Sequence, residues 1–416
     1  MTREGAVTIT NPQALACREC GTRYAVEPRS ICEACFGPVE PWYDLGAIDG
    51  ALFRKHVEAG PPTLWRYAQL LPGGPDVPRV DLGAGFTPLR RADRLAERLG
   101  MRRLWVKDDS VNPSNSFKDR VVSVAATMAR AFGFEALSCA STGNLANAVG
   151  AHAAVAGIPA YVFVPEDLEQ AKILATEAYG AKVVAVQGNY DDVNRLCSEV
   201  AEALPWAFVN VNMRPYYAEG SKSLGFELAE QLGWRLPDHV VVPIASGALM
   251  TRVHRAFREL VAIGAVEDEP YRISGAQAEG CAPVARAWAE GTEDVRPVKP
   301  DTIARSLAIG NPADGYYAIR TAKATGGVIE ACTEAEVVEG IRLLAETEGV
   351  FTETAGGVTI AVLRRLREAG VIDPDEETVV LVTGNGYKTV EALEGVVEPT
   401  YRVPPDLDAF LAALRG

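Results

Sequence analysis

Lys118 lies in the stretch NPSNSFKDR (112–120), after a loop of Pro, Ser and Asn and between Phe117 and Asp119. A lysine there is either a solvated charge at a helix start or a nucleophile. A helix start and desolvation both disfavour an ammonium, so an amine held there is pushed toward its reactive free base. Three other short stretches carry complementary groups. Ser141-Thr142-Gly143-Asn144 offers hydroxyls, an amide and backbone N–H groups at one turn, a set that binds a carboxylate or a phosphate. The small residues Ser246-Gly247-Ala248 let backbone N–H groups approach an anion closely. Thr383-Gly384-Asn385-Gly386-Tyr387-Lys388 brings a hydroxyl to a strand end, with glycines clearing room for a flat ring. Each stretch taken alone also has a plain explanation: an exposed lysine, an N-cap, a Gly-Asn turn.

The surrounding pattern places all four at equivalent points. Strands are expected at 103–107, 136–142, 160–165, KVVAVQG (182–188), 239–247, 271–280 and 378–386, with helices at 117–133, 144–157 and QAKILATEAYG between them. Near-continuous apolar strands alternating with helices predict parallel sheets covered on both faces, an α/β fold. In such folds the loops that follow strands and open helices bind ligands. With 416 residues, two lobes are expected rather than one core.

Four of the eight cysteines are clustered: Cys17-Arg-Glu-Cys20 and Cys32-Glu-Ala-Cys35 form two CxxC pairs. Such pairs complete a tetrahedral S4 set suited to zinc, a structural ribbon with no open position for catalysis. Two disulfides or a redox pair are the alternatives. A reducing cytosol opposes the first and the lack of a βαβ pattern opposes the second. The module is expected to act as a staple apart from the chemistry. Cys139, Cys197, Cys281 and Cys332 are scattered and read as small buried hydrophobes.

A net charge of −14 repels nucleic-acid phosphates and anionic membrane surfaces, so an anionic substrate needs a local cationic pocket. The N-terminus lacks the apolar run of a signal peptide and no stretch reaches 18 apolar residues, which predicts a cytoplasmic protein. The organisation expected is a zinc-ribbon-like module over 1–45 and a Pro/Gly/Trp-rich linker or arm over 46–80. A catalytic domain follows over 81–400, its smaller lobe inserted at about 115–215, with a C-terminal docking helix over 401–416.

In combination the motifs resemble the pyridoxal-phosphate enzymes of fold type II, the tryptophan-synthase β-like fold, and within it the threonine synthase family. SFKDR is similar to that family's cofactor-lysine motif, CASTGN to its asparagine loop and TGNGYK to its C-terminal motif. GAGFTPL (83–89), YAEGSKSLGFE (217–227) and the CxxC pairs add to the resemblance, which covers nearly the whole chain. It implies a Schiff-base role for Lys118, a contact of Asn144 with the cofactor's 3′-oxygen, Ser141, Thr142 and Gly143 near the substrate carboxylate, and Thr383 at the pyridine nitrogen. Ser246, Gly247 and Ala248 are implied as the cofactor-phosphate loop. The implied reaction converts O-phospho-L-homoserine and water into L-threonine and phosphate in a homodimeric enzyme, with Lys118 moving protons. Lys107 is the expected ligand of the leaving phosphate, with Arg214 and Lys222 as further candidates. Two segments depart from the family pattern, ASGAL at the phosphate loop and VNVNMRPYY (209–217). Cysteate synthase and serine/threonine dehydratase are alternatives on the same scaffold. A ligand-binding homologue without activity would have no need for Lys118.

Overall fold

The computed structural model describes residues 11–74, 77–141, 143–166, 170–188 and 190–415. Its first strands, β1 (Ala14–Cys17), β2 (Arg23–Tyr24) and β3 (Val39–Trp42), form a small antiparallel sheet in the order β2-β1-β3. A six-stranded sheet makes the larger lobe from β4 (Leu89–Arg91), β5 (Arg103–Asp108), β10 (His239–Pro243), β11 (Arg272–Ala278), β12 (Ile329–Cys332) and β13 (Glu377–Val382). Its order is β12-β11-β10-β13-β5-β4, all parallel except β4 at the edge. The smaller lobe is a parallel sheet in the order β8-β7-β6-β9, from β6 (Ala136–Ala140), β7 (Ala160–Pro165), β8 (Lys182–Val186) and β9 (Trp206–Phe208).

The expected parallel strands are present, and the central ones are buried along their whole length, as in β10 (HVVVP), β13 (ETVVLV) and β6 (ALSCA). Continuous apolar strands of this kind require cover on both faces. Helix Thr354–Glu368 covers one face of the large sheet, and helices Lys222–Gln231 and Ala248–Ala262 pack together on the other. Helix Lys118–Ala131 packs on helices Asn144–Ala156 and Arg214–Gly220, and Asp119 to Ala129 are all buried. Its run of Val, Ala, Ser and Met leaves no polar face, which suits a helix enclosed between lobes.

Two segments differ from expectation. Residues 46–80 do not form an extended arm. They carry helix Gly50–Glu58, capped by the Asp49 carboxylate on Leu52 N at 2.8 Å, and then a 3-10 stretch, Leu64–Leu70. Phe53, Val57, Leu64, Trp65, Tyr67 and Leu70 belong to the same core as the catalytic lobes, because a Pro-rich connection still supplies large apolar side chains to bury. At the other end helix Leu407–Ala413 forms but does not dock on the described residues. None of its residues is buried, and Leu407, Phe410 and Leu411 stay exposed. Among the described residues no helix is long and apolar enough to cross a membrane.

A buried charge cluster ties the lobes together. Arg120 donates through Nε to Asp109 Oδ2 at 2.6 Å and through Nη2 to Asp109 Oδ1 at 2.8 Å and Glu227 Oε2 at 2.7 Å. Lys107 Nζ bonds Glu227 Oε2 at 2.6 Å, and all four side chains are fully buried. Burial pushes the Glu227 carboxyl up, but Arg120 and Lys107 outweigh it and hold it down from the ordinary 4.5 to about 2. A depressed carboxylate stabilises the fold fully above its unfolded pKa and loses that contribution as pH falls through its folded one. Urea unfolding followed downward from neutral pH is therefore expected to show stability lost between about 4.5 and about 2. Glu227→Gln is expected to be weaker at neutral pH and to lack that component of the decline.

Candidate active site

Parallel order brings three loops to one edge of the large sheet. β10, β13 and β5 are adjacent, so their carboxyl ends deliver Ser246, Thr383 and the Asn112–Ser116 loop to the same side. The loop after β5 leads into Lys118, the first residue of its helix. Phe117 N donates to Thr383 O at 2.8 Å and Asn385 N to Asn115 O at 3.1 Å, which stitches the lysine segment to the TGNGYK loop. From the small lobe, the end of β6 delivers Ser141 and Gly143 and then Asn144, first residue of its helix. Thr142 lies outside the described residues.

Lys118 is half-buried, its Nζ 5.0 Å from the Phe117 ring centroid and 5.9 Å from that of Tyr217. Among the described residues its amine has no hydrogen-bond or ion-pair partner and so is open to a ligand. Ser246-Gly247-Ala248 ends at the N-terminus of the 15-residue helix Ala248–Ala262, where the first backbone N–H groups have no partner within the helix. Gly247 has a left-handed backbone at φ 93°, and a Cβ there would lie 2.6 Å from Asp314 O, so glycine is required twice over.

The sequence reading missed Glu353. This carboxylate, 2% exposed, accepts Asn144 Nδ2 at 2.9 Å through Oε2. Burial pushes it above the usual carboxylate range, opposed by the Asn144 amide and then by the Lys388 and Lys118 amines. A Glu opening a helix of small residues, FTETAGG, looks locally like an ordinary first-turn acid. Glu353 also corrects the role given to the TGNGYK glycines. A Cβ on Gly384 would lie 2.5 Å from the Glu353 carboxylate and one on Gly386 2.6 Å from the Phe351 ring. The room they clear is filled by the protein itself. Lys388, from the same loop, lines a cavity of about 260 Å³ with Ser114, Asn115, Asn147 and Asn385. Its Nζ is shielded from solvent without a hydrogen bond, and burial lowers its pKa against the pull of Glu353 and Asp119.

Lys107 is not in this group. Its Nζ donates to Glu227 Oε2 at 2.6 Å, Thr87 O at 2.7 Å and Gln231 Oε1 at 2.8 Å. An ammonium has three N–H bonds, and with all three occupied none is left for a phosphate. Lys222 is likewise sealed, between Glu219 at 2.6 Å and Glu259 at 2.8 Å. Arg214 is different. It is one-third exposed and pairs with Asp314 Oδ2 at 2.8 Å, and Asp314 N donates to Ser246 O at 2.8 Å. Arg214 therefore reaches the edge of the Ser246 loop with guanidinium N–H groups to spare.

The four clustered cysteines converge, each Sγ within 4.8 Å of the others, and Cys17 and Cys35 are 3.4 Å apart. Four Zn–S bonds of about 2.3 Å would set sulfurs roughly 3.8 Å apart in a tetrahedron, so the donor set fits one ion.

These loops have the character of a pyridoxal-phosphate site: a free amine at a helix start, an anion-binding turn, and an amide fixed by a buried carboxylate. Residues 80–384 match the family described as "Pyridoxal-phosphate dependent enzyme". The fold recurs in diaminopropionate ammonia lyase from Escherichia coli, with a TM-score of 0.64 and 19% identity, covering 85% of this chain and 93% of that one. Threonine synthase from Methanocaldococcus jannaschii is 35% identical over 402 residues, 96% of this chain and 98% of that protein. Threonine synthase from Methanosarcina acetivorans is 35% identical over 409 residues, 97% and 98% of the two. The chain belongs to the threonine synthase family of pyridoxal-phosphate-dependent enzymes.

Two outcomes follow for variants. Lys107→Met leaves Glu227 short of a cation, so stability to urea is expected to fall by about 3–5 kcal/mol while KM stays unchanged. Glu353→Ala releases the Asn144 amide. It is expected to lower kcat/KM by about 10–100-fold, as for loss of a hydrogen bond to a charged group, and to shift the visible band of the bound cofactor. Glu353→Gln keeps an acceptor and is expected to recover most of both.

Proposed function

We propose that the protein is a threonine synthase, taking O-phospho-L-homoserine and water to L-threonine and phosphate. The observation that carries this reading is that Lys118, Thr383 and the Ser246 loop follow adjacent strands of one sheet and Asn144 is joined to them through Glu353, in a chain 35% identical to threonine synthases over nearly its whole length. Pyridoxal phosphate, when bound, supplies an electron sink for negative charge on the substrate's α-carbon.

The chain's own groups do the rest. Lys118 holds the cofactor, then takes the α-proton and handles protons at Cβ and Cγ, a task suited to an amine with no protein partner. Asn144, aimed by Glu353, orients the ring through its 3′-oxygen. Thr383 would offer the ring nitrogen a neutral hydroxyl in place of a carboxylate. The N–H groups around Ser246–Ala248 would hold the cofactor's phosphate, and Ser141 and Gly143 would hold the substrate's carboxylate. For the leaving phosphate we assign Arg214, the guanidinium at the cleft with N–H groups free, in place of Lys107. Zinc on Cys17, Cys20, Cys32 and Cys35, a cytoplasmic setting and a homodimeric assembly complete the reading.

The test is to incubate the protein with pyridoxal phosphate and O-phosphohomoserine and to quantify phosphate and threonine together. Equal release of both is expected. A 2-oxo acid would instead mark a dehydratase, and turnover of phosphoserine with sulfite a cysteate synthase. Lys118→Ala is expected to remove the visible absorbance of the lysine-bound cofactor and to cut turnover by at least about 1,000-fold. Persistence of that absorbance would refute the assignment of Lys118.

A further inference from the structure

The cysteine module does not stand apart from the catalytic loops, as its sequence suggested. Arg18, between Cys17 and Cys20, points out of the module, its guanidinium carbon 3.6 Å from the centroid of the Tyr317 ring. The same guanidinium faces Asp314 Oδ1 at 3.6 Å and Glu40 Oε1 at 3.4 Å. Asp314 is the residue whose N–H bonds Ser246 O at 2.8 Å and whose carbonyl sits 2.6 Å from where a Gly247 Cβ would be. Glu40, on β3 of the module, accepts Arg252 Nη2 at 2.7 Å and Arg255 Nη1 at 2.6 Å. Both arginines belong to helix Ala248–Ala262, which starts at that same loop.

The loop has little means to hold its own shape. Ala245, Gly247 and Ala248 carry no polar side chain, and the Ser246 hydroxyl makes one long bond, to Ala248 N at 3.4 Å. Its geometry is imposed from outside, by Asp314 on one flank and by the helix on the other. The module touches both.

We propose that the N-terminal module braces the cofactor-phosphate loop: Arg18 and Glu40 position Asp314 and helix Ala248–Ala262, and a metal ion on the four cysteines sets how tightly the phosphate is held. Arg18 and Glu40 are thereby positioning residues. The inference rests on reading Ser246–Ala248 as the phosphate loop. A metal ion fixes Cys17 and Cys20, and with them the backbone that aims Arg18.

The test compares pyridoxal phosphate with pyridoxal, which lacks the phosphate, by recovery of visible absorbance after the full-length protein has been stripped of cofactor. For Arg18→Met and Glu40→Gln, pyridoxal phosphate affinity is expected to fall about 10-fold, a shift equal to one weak charged contact, with pyridoxal affinity unchanged. Removal of metal by a chelator is expected to do the same. Glu33→Gln, on the module's exposed side, is expected to leave both affinities at the wild-type value. Equal losses for the two ligands would make the module a general stabiliser and overturn the brace, as would wild-type affinities in both variants. Should Arg18→Met fail to fold, Glu40→Gln decides. A wild-type protein that takes up pyridoxal but gains nothing from the phosphate refutes the loop reading, and the brace with it.

Discussion

The arrangement depends on Arg120, two residues beyond Lys118. Its guanidinium is fully enclosed and bonded to Asp109, which follows β5, and to Glu227, on a helix more than a hundred residues further along. Lys107 and the Thr87 and Ser223 hydroxyls join the set. Two cations meet two carboxylates, so the cluster is neutral, and its backbone neighbours also contribute: Phe86 N donates to Glu227 Oε1 at 2.6 Å. Burying such charges is costly unless every lone pair and proton is used, and here nearly every one is. The cost is offset by specificity. Through Arg120 the cluster ties helix Lys118–Ala131 to Asp109 and Glu227, two residues from where the Lys118 amine emerges.

Around that fixed point the site is built by exclusion as much as by contact. The glycines that mark its loops make way for parts of the chain: Gly247 for the Asp314 carbonyl, Gly384 for the Glu353 carboxylate, Gly386 for the Phe351 ring. The loops can therefore follow one path. In a protein of net charge −14, the cationic groups that remain near the cleft include Lys388 and Arg214, each with an acid nearby, and Lys118, whose amine has no ion-pair partner among the described residues. A phosphorylated amino acid entering the cleft meets groups whose charges are already partly balanced, which favours exchange of ligands over permanent capture.

The fold was largely legible because its signals are local. Apolar runs bounded by turns marked β5, β6, β7, β10, β11 and β13, and the helix expected at SFKDR begins at Lys118 itself. Where reading by composition failed, the deciding partner was remote. Residues 46–80 read as a linker from their prolines and glycines, yet Phe53, Trp65 and Tyr67 found a core to enter. The final helix read as a docking element, yet among the described residues nothing buries it. Lys107 read as a phosphate ligand because it is a cation at a strand end near the lysine motif. Its side chain points instead to Glu227, and no spacing in the sequence announces a partner 120 residues away.

The sequence by itself determined the chemistry available: an amine at a helix start, small-residue turns at strand ends, an amide, a hydroxyl and four thiols in two pairs. Those depend on residue type and on neighbours within a few positions, where backbone geometry is nearly fixed. The tertiary structure decided which charges are spent on the fold and which are left for a ligand. It sealed Lys107 and Lys222, left Lys118 and Arg214 at the cleft, aimed Asn144 through Glu353 and set Arg18 against Asp314. The physical reason is that a charge's role follows from its solvation and its nearest opposite charge, and both are properties of packing between distant segments.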